Sequence, residues 1–169
     1  MLIDAHAGFP RWIGSGADFI EIDVRRDQRG VIIDAHDEPR PGAKHATLDE
    51  VLHALDSRAG LHLDMKETGY EVELLTRVLQ ALPPLKVVAT PDFEESVRVI
   101  KAKFPDVRVS PLDFVAVDQR YADRSYDKPL WVWTVDDKRL MRRFMDDPRV
   151  ECLITNRVDR ALKLRSARS

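Results

Sequence analysis

The stretch that decides the fold is GADFIEIDVRRDQRGVIIDAHD, residues 16–37. In its first half acidic residues alternate with apolar ones, so Glu21 and Asp23 lie on the face opposite the isoleucine and valine side chains. Alternation with a period of two predicts a strand with two different faces, and it places the two carboxylates about 6.5 to 7 Å apart on one of them. Like charges repel, and a bound cation would explain their presence better than packing does.

The second half of the stretch returns toward the same place. Residues 27–30, Asp-Gln-Arg-Gly, have the composition of a tight turn. The apolar run Val31–Ile33 follows and leads to Ala35, His36 and Asp37. The pattern therefore predicts a hairpin that delivers a histidine to the neighbourhood of the two carboxylates.

Taken together, these motifs resemble those of the glycerophosphodiester phosphodiesterase family. The shared pattern consists of Gly-Ala-Asp at 16–18, an apolar-Glu-apolar-Asp strand, a turn with glycine, and an apolar run that ends in His-Asp at 36–37. The resemblance implies a TIM-type barrel that hydrolyses glycerophosphodiesters to glycerol phosphate and an alcohol with the help of a divalent cation.

The totals fit a globular protein with one domain, residues 1–169. The chain is 44% hydrophobic and 33% charged, and its net charge is -2. A nearly neutral chain argues against a nucleic-acid or membrane surface. No apolar run reaches transmembrane length, and the first residues lack the layout of a signal peptide, so we expect a cytoplasmic protein. Cys152, the single cysteine, lies in an apolar run and is expected to be a buried core thiol.

Beyond residue 46, predicted strands and helices alternate, which indicates a parallel sheet and, given the resemblance, a barrel. We predict helices that start at Thr47, Tyr70 and Thr90, the last with Pro91 in its first turn, and two more after Asp136 and Asn156. Only residues 110–113 separate two predicted strands, too few for a helical crossover. A typical barrel takes about 250 residues, so we expect a contracted α/β barrel of the TIM type that lacks one later crossover helix.

Besides the missing crossover helix, we expect the barrel to be altered at its first strand. In one alignment, His6 of Asp4-Ala5-His6-Ala7-Gly8 matches the His-Arg-Gly motif that ends the family's first strand. Few residues then remain before Gly16, and a crossover needs a dozen or more. In the other alignment, Phe9, Trp12 and Ile13 belong to the helix before Gly16, and the first strand is missing or is encoded upstream.

The strand predicted over 61–66 adds a third carboxylate. Its Asp64 and Lys66 match the family's Glu-x-Lys, with aspartate in place of glutamate. We therefore predict that Glu21, Asp23 and Asp64 bind one divalent cation, Mg²⁺ or Ca²⁺, because hard cations prefer carboxylate oxygens. The alternative is a structural network in which these carboxylates pair with Lys66 or Arg25.

The remaining site assignments concern proton transfer and substrate contact. His36 is predicted to be a general acid or base, since an imidazole titrates near neutrality. Lys66 is assigned to neutralising the phosphate. In the family an aromatic residue lies near the glycerol or head group, and we assign this role to Trp133. His62 shares a face with Asp64 but lies deeper, and we interpret it as a core residue or a neighbour of the ligands.

Two functions from different classes stay open. The first is a metal-dependent hydrolase acting on a small-molecule glycerophosphodiester. The second is a non-catalytic relic that binds phosphate or metal without turnover, which an absent first-motif histidine would favour. A second copy of the chain is kept as a partner, since it could close an incomplete barrel. The alcohol head group is not specified by the sequence.

Overall fold

Strands and helices alternate along almost the whole chain. The computed structural model describes residues 1–55 and 58–168. The strands of this part are β1 Leu2–Ala5, β2 Phe19–Arg26, β3 Ile32–Asp34, β4 Gly60–Met65, β5 Val87–Pro91, β6 Arg108–Val109, β7 Val115–Asp118, β8 Leu130–Trp133 and β9 Val150–Thr155. The helices are α1 Leu48–Leu55, α2 Glu71–Ala81, α3 Glu94–Lys103, α4 Lys138–Asp146 and α5 Val158–Ser166, with a 3₁₀ turn at Pro84–Lys86.

All strands belong to one sheet, and its order is β6-β5-β4-β2-β1-β9-β8-β7. A closed barrel of eight strands has eight pairs of adjacent strands, and seven such pairs are present here as parallel ladders. The remaining strand, β3, pairs antiparallel with β2. Within the described residues, β6 and β7 share no ladder, so the barrel is open along that one seam. This arrangement confirms the predicted contracted barrel of the TIM type.

The alternation of each strand separates two cores. Between the sheet and the helices lies the larger core, built mainly from leucine, isoleucine and valine. Inside the barrel lies a smaller cluster around Trp131, whose ring packs against Phe19 and Phe114 at centroid distances of 5.2 and 4.7 Å. Cys152 is buried in the same cluster, as predicted. This apolar cluster fills the lower half of the barrel interior, so the polar side chains on the same strand faces lie at the mouth.

The first strand is present, which decides between the two alignments of the N-terminus. β1 pairs with β2 on one side and with β9 on the other, and His6 follows it directly. The connection from His6 to Asp18 forms turns instead of the helix that the second alignment places on Phe9, Trp12 and Ile13, so that expectation is wrong. Glycine and proline at positions 8, 10, 14 and 16 explain the outcome, because they favour turns over helix.

The predicted loss of a later crossover helix is confirmed between β6 and β7. Residues 110–114 join these strands through a turn. The Ala116 N–H donates to the Ser110 hydroxyl over 3.2 Å, which is one of the contacts between the β6 and β7 sides of the open seam.

The predicted start of the third helix is wrong. Thr90 and Pro91 continue β5, where they pair with Asp64 and Met65 of β4, and α3 begins only at Glu94. Ladder pairing with the neighbouring strand outweighs the local capping preference of Thr-Pro. The consequence is that the Thr90 side chain belongs to the barrel mouth.

None of the helices in the described part of the chain has the length and apolar character that crossing a membrane would require.

Candidate active site

Three predicted carboxylates meet at the carboxyl ends of β2 and β4. Asp23 lies beside Asp64 in the parallel register, and Glu21 lies two residues deeper on β2. One oxygen atom from each of the three lies within 4.8 Å of those of the other two. Glu21 and Asp23 are buried, and Asp64 is half-buried. We refer to Glu21, Asp23 and Asp64 as the acidic cluster; its donors and spacing fit a hard divalent cation.

Lys66 lies against two members of this cluster. Its Nζ is 2.5 Å from Asp64 Oδ2 and 3.2 Å from Asp23 Oδ1. Burial by itself would lower the pKa of the Lys66 ammonium, but the hydrogen bond and charge of Asp64, together with Asp23, outweigh it and raise that pKa. The lysine is therefore a permanent cation beside the cluster. Arg25, the other cation considered as a partner, pairs with Glu67 instead.

The environment of Glu21 strongly shifts the pKa of its carboxyl group. Burial is the main reason why its pKa rises to about 7, and the nearby Asp4 carboxylate adds to the rise. His62, His6 and the Ala7 N–H, which donates to Glu21 Oε2, act in the opposite direction. Since burial disfavours the charged form, a cation bound next to Glu21 would be a strong counterweight to that cost.

His6 lies at the mouth on the loop that leaves β1. Its Nδ1 is 3.0 Å from Asn156 Oδ1. The Asn156 amide nitrogen donates to Asp136 Oδ2 over 2.9 Å, which fixes the amide orientation and leaves its oxygen to accept from His6 Nδ1–H. Proton exchange with the cavity therefore falls to Nε2 of His6, the arrangement that a histidine acid or base needs.

His36 lies just after β3, on the rim of the mouth. Its side chain is 72% exposed, and Nδ1 is 3.0 Å from Asp37 Oδ1. The hydrogen bond to Asp37, with a further contribution from the charge of Asp23, raises the pKa of His36 above its ordinary value. The hairpin thus brings His36 to the acidic cluster, as the sequence predicts.

A cavity of about 430 Å³ joins these groups. Its lining combines polar and charged groups with less polar ones. The polar and charged groups are His6, His36, His62, Lys66, Thr90, Asp92 and the acidic cluster, and the others are Pro91, Ser110, Pro111, Ala116, Trp133 and Ile154. Trp133 is 41% exposed and lines the cavity, whereas Trp131, two residues earlier, is fully buried below it. The cavity therefore offers charged groups for a phosphate and less polar groups for an organic substituent.

A second, larger cavity of about 640 Å³ lies along the outside of the β2–β3 hairpin. It is lined by residues of the hairpin turn and of the segment 39–47. Among the described residues, the one group that could hold a metal is the acidic cluster at the barrel mouth. The candidate active site is therefore the smaller cavity.

The sequence did not point to Asp4, Thr90 or Asp34. Asp4 and Thr90 both bond the buried His62, whose Nδ1 is 2.5 Å from Asp4 Oδ2 and whose Nε2 is 2.9 Å from Thr90 Oγ1. Asp34 accepts the backbone N–H of Asp23, and burial raises its pKa to about 6. The sequence feature that could have indicated a buried polar contact is Asp4, a charged residue within the otherwise apolar strand β1.

Fold and site together define a TIM-type barrel with an acidic cavity flanked by histidines at its mouth. Many solved structures share this fold, and three of them illustrate the likeness. The glycerophosphodiester phosphodiesterase from Parabacteroides distasonis is 16% identical with a TM-score of 0.79, and the alignment covers 99% of this chain and 97% of that one. The glycerophosphodiester phosphodiesterase from Agrobacterium tumefaciens is 18% identical with a TM-score of 0.74, and the alignment covers 95% of this chain and 99% of that one.

The third structure is an Oleispira antarctica phosphodiesterase in complex with the product sn-glycerol-3-phosphate, with 14% identity, a TM-score of 0.76, and coverage of 98% and 97%. No protein-family model and no curated protein matches the sequence. The chain has the fold of the glycerophosphodiester phosphodiesterases, so the resemblance that the motifs indicate is confirmed in the architecture.

Proposed function

We propose that this protein is a divalent-cation-dependent phosphodiester hydrolase that converts glycerophosphodiesters to glycerol phosphate and an alcohol. The observation that carries the proposal is that one cavity at the barrel mouth is lined by the acidic cluster, Lys66, His6 and His36. Barrels of this type place their chemistry at this end. The names of the structural neighbours, one of them holding sn-glycerol-3-phosphate, support the same reaction class.

Cation binding is assigned to Glu21, Asp23 and Asp64. Mg²⁺ and Ca²⁺ both suit an all-oxygen donor set, and either would supply charge neutralisation at the phosphate oxygens. Lys66 adds a fixed positive charge on the same side of the cavity. In our proposal it stabilises the negative charge that builds up on the phosphate in the transition state.

Proton transfer is assigned to His6 and His36. Hydrolysis forms one P–O bond from the attacking water and breaks the P–O bond to the alcohol. One histidine takes a proton from the water, and the other gives a proton to the departing alkoxide. Asn156 orients His6 and Asp37 orients His36, so each imidazole has a defined partner for its Nδ1.

Ala7 is the observation that favours the alternative of a binding module. The resemblance has arginine between the histidine and the glycine of the first motif, whereas this chain has alanine between His6 and Gly8. An arginine there would be one more phosphate-binding cation. The non-catalytic alternative therefore predicts binding of glycerol phosphate with no turnover.

Histidine variants test the proposed chemistry. We expect His6→Gln and His36→Gln each to lower kcat for glycerophosphocholine by about 10²- to 10⁴-fold, the usual contribution of general acid or base catalysis. His53→Gln, on the exposed face of α1, is the matched control and should keep the wild-type rate. Wild-type rates in both mouth variants would overturn the assignment, and a folded wild type without turnover would favour the binding module.

A further inference from the structure

A chain of hydrogen bonds runs through the barrel interior to the acidic cluster. Asp4 Oδ2 lies 2.5 Å from His62 Nδ1, His62 Nε2 lies 2.9 Å from Thr90 Oγ1, and Thr90 Oγ1 lies 3.2 Å from Asp64 Oδ1. Asp4 and His62 are buried, and Thr90 is half-buried beside them. The chain links β1, β4 and β5 at the level just below the mouth.

The donors and acceptors in this chain admit one direction. The Thr90 hydroxyl donates its single proton to Asp64 Oδ1. The Thr90 oxygen must then accept from His62 Nε2–H. The other ring nitrogen, His62 Nδ1, lies within hydrogen-bond distance of Asp4 Oδ2, so both nitrogens of the ring are held. The series of hydrogen bonds therefore fixes the position of the Thr90 hydroxyl from both sides.

The buried pair at the base of the chain is costly as a purely structural element. Burying an aspartate and a histidine removes both from water, and such pairs rarely stabilise a fold better than apolar residues of the same size. Within the described residues, Asp4 Oδ1 is buried with no hydrogen-bond partner, which adds to the cost. The pair does, however, fix the ring plane of His62, and through it the Thr90 hydroxyl.

Thr90 completes the support of Asp64. Lys66 Nζ holds Asp64 Oδ2 at 2.5 Å, and Thr90 holds Oδ1. With both oxygens held, the plane of the carboxylate is set. Asp64 is the most exposed member of the acidic cluster, with a side chain that is 24% exposed. Its carboxylate therefore depends most on hydrogen bonds to keep one orientation.

We propose that Thr90, held in place by the buried Asp4–His62 pair, is a positioning residue that presents the Asp64 carboxylate to the divalent cation. The inference rests on the cation site of the proposed function. Partners that orient metal ligands typically contribute 10- to 100-fold in metal affinity, which sets the size of the expected effect at roughly that range.

Titration calorimetry of Mg²⁺ and Ca²⁺ into the purified chain tests this proposal without relying on turnover. Thr90→Val keeps the shape of the side chain and removes the hydroxyl, so we expect the Kd to rise by about 10- to 100-fold. Thr90→Ser keeps the hydroxyl and should restore most of the affinity. Thr76→Val, on the exposed face of α2, is the matched control and should bind as the wild type does.

A kinetic readout separates positioning from general damage. In Thr90→Val, the cation concentration that gives half-maximal rate should rise, while kcat at saturating cation returns to within a few-fold of wild type. Equal Kd values for wild type and Thr90→Val, or no rescue by serine, would overturn the proposal. A wild type that binds cation but hydrolyses nothing would overturn the proposed activity alone, whereas a wild type that binds no cation would overturn both.

Discussion

Replacing Glu21 by glutamine removes a buried carboxyl that has a large and testable effect on stability. In the metal-free protein, burial raises its pKa from 4.5 to about 7, helped by Asp4 and opposed by His62, His6 and the Ala7 N–H. The folded protein therefore holds this proton more tightly than the unfolded chain does. The associated stability is fully present below pH 4.5 and is lost as the pH rises through about 7.

The size of the effect follows from the shift. A rise from 4.5 to about 7 corresponds to at most about 3 kcal/mol of unfolding free energy. His62 contributes with the same sign, because Asp4 and Glu21 raise its pKa against the effect of its burial. Wild-type stability should therefore fall between about pH 5 and pH 8, and the Glu21→Gln variant should show a much weaker fall.

Urea unfolding in the presence of chelator measures this directly. The quantity of interest is the difference in unfolding free energy between wild type and Glu21→Gln at each pH. Asp118→Asn is the control: the hydrogen bonds from Arg120 lower the pKa of Asp118 to about 2, so its contribution is complete above 3.8 and constant across the tested window. A wild-type to Glu21→Gln difference that does not change with pH would refute the reasoning.

Three further predictions concern other parts of the barrel. In Gly60→Ala, the added Cβ would lie 2.5 Å from the Phe19 ring and 2.9 Å from the Lys86 carbonyl oxygen. We therefore expect the free energy of unfolding, measured with urea, to fall by about 1–3 kcal/mol. An unchanged unfolding midpoint would contradict this close packing. Lys66→Gln should lower kcat by about 10²-fold, as loss of one transition-state charge contact does, and a rate within twofold of wild type would remove Lys66 from the mechanism. Trp133→Ala should raise KM with little change in kcat if the exposed ring, which lines the cavity, contacts the organic part of the substrate as we propose. A drop in kcat alone would argue against that contact.

Local patterns predict much of this fold because the strands are short and strongly two-faced. The alternation around Glu21 and Asp23 gives β2, the Asp27–Gly30 turn gives the hairpin, and the short interval after Val109 gives the missing crossover helix. In each case the signal lies within a few residues of the feature. The two carboxylates and His36 consequently reach one cavity, as the sequence indicates.

Long-range contacts account for what the sequence could not supply. Thr90 looks like a helix cap in isolation, and only its pairing with Asp64 extends β5 through it. Asp4 and His62 are 58 residues apart in the sequence, and no periodic pattern predicts that they are in contact. His6 stays undecided at the sequence level because only residues 9–15 separate its motif from Gly16, which is too few for a helical crossover. In the structure, turns alone join β1 to β2.

The most direct test of the central claim is the turnover of glycerophosphocholine by the purified chain. The rate is measured with Mg²⁺, with Ca²⁺ and with chelator, alongside an Asp64→Asn variant that removes one charge from the acidic cluster. We predict turnover that is lost in chelator, is restored by adding back cation, and is reduced by at least about 10²-fold in Asp64→Asn. Turnover that persists in chelator, or a folded wild type with no turnover under any condition, would contradict the account.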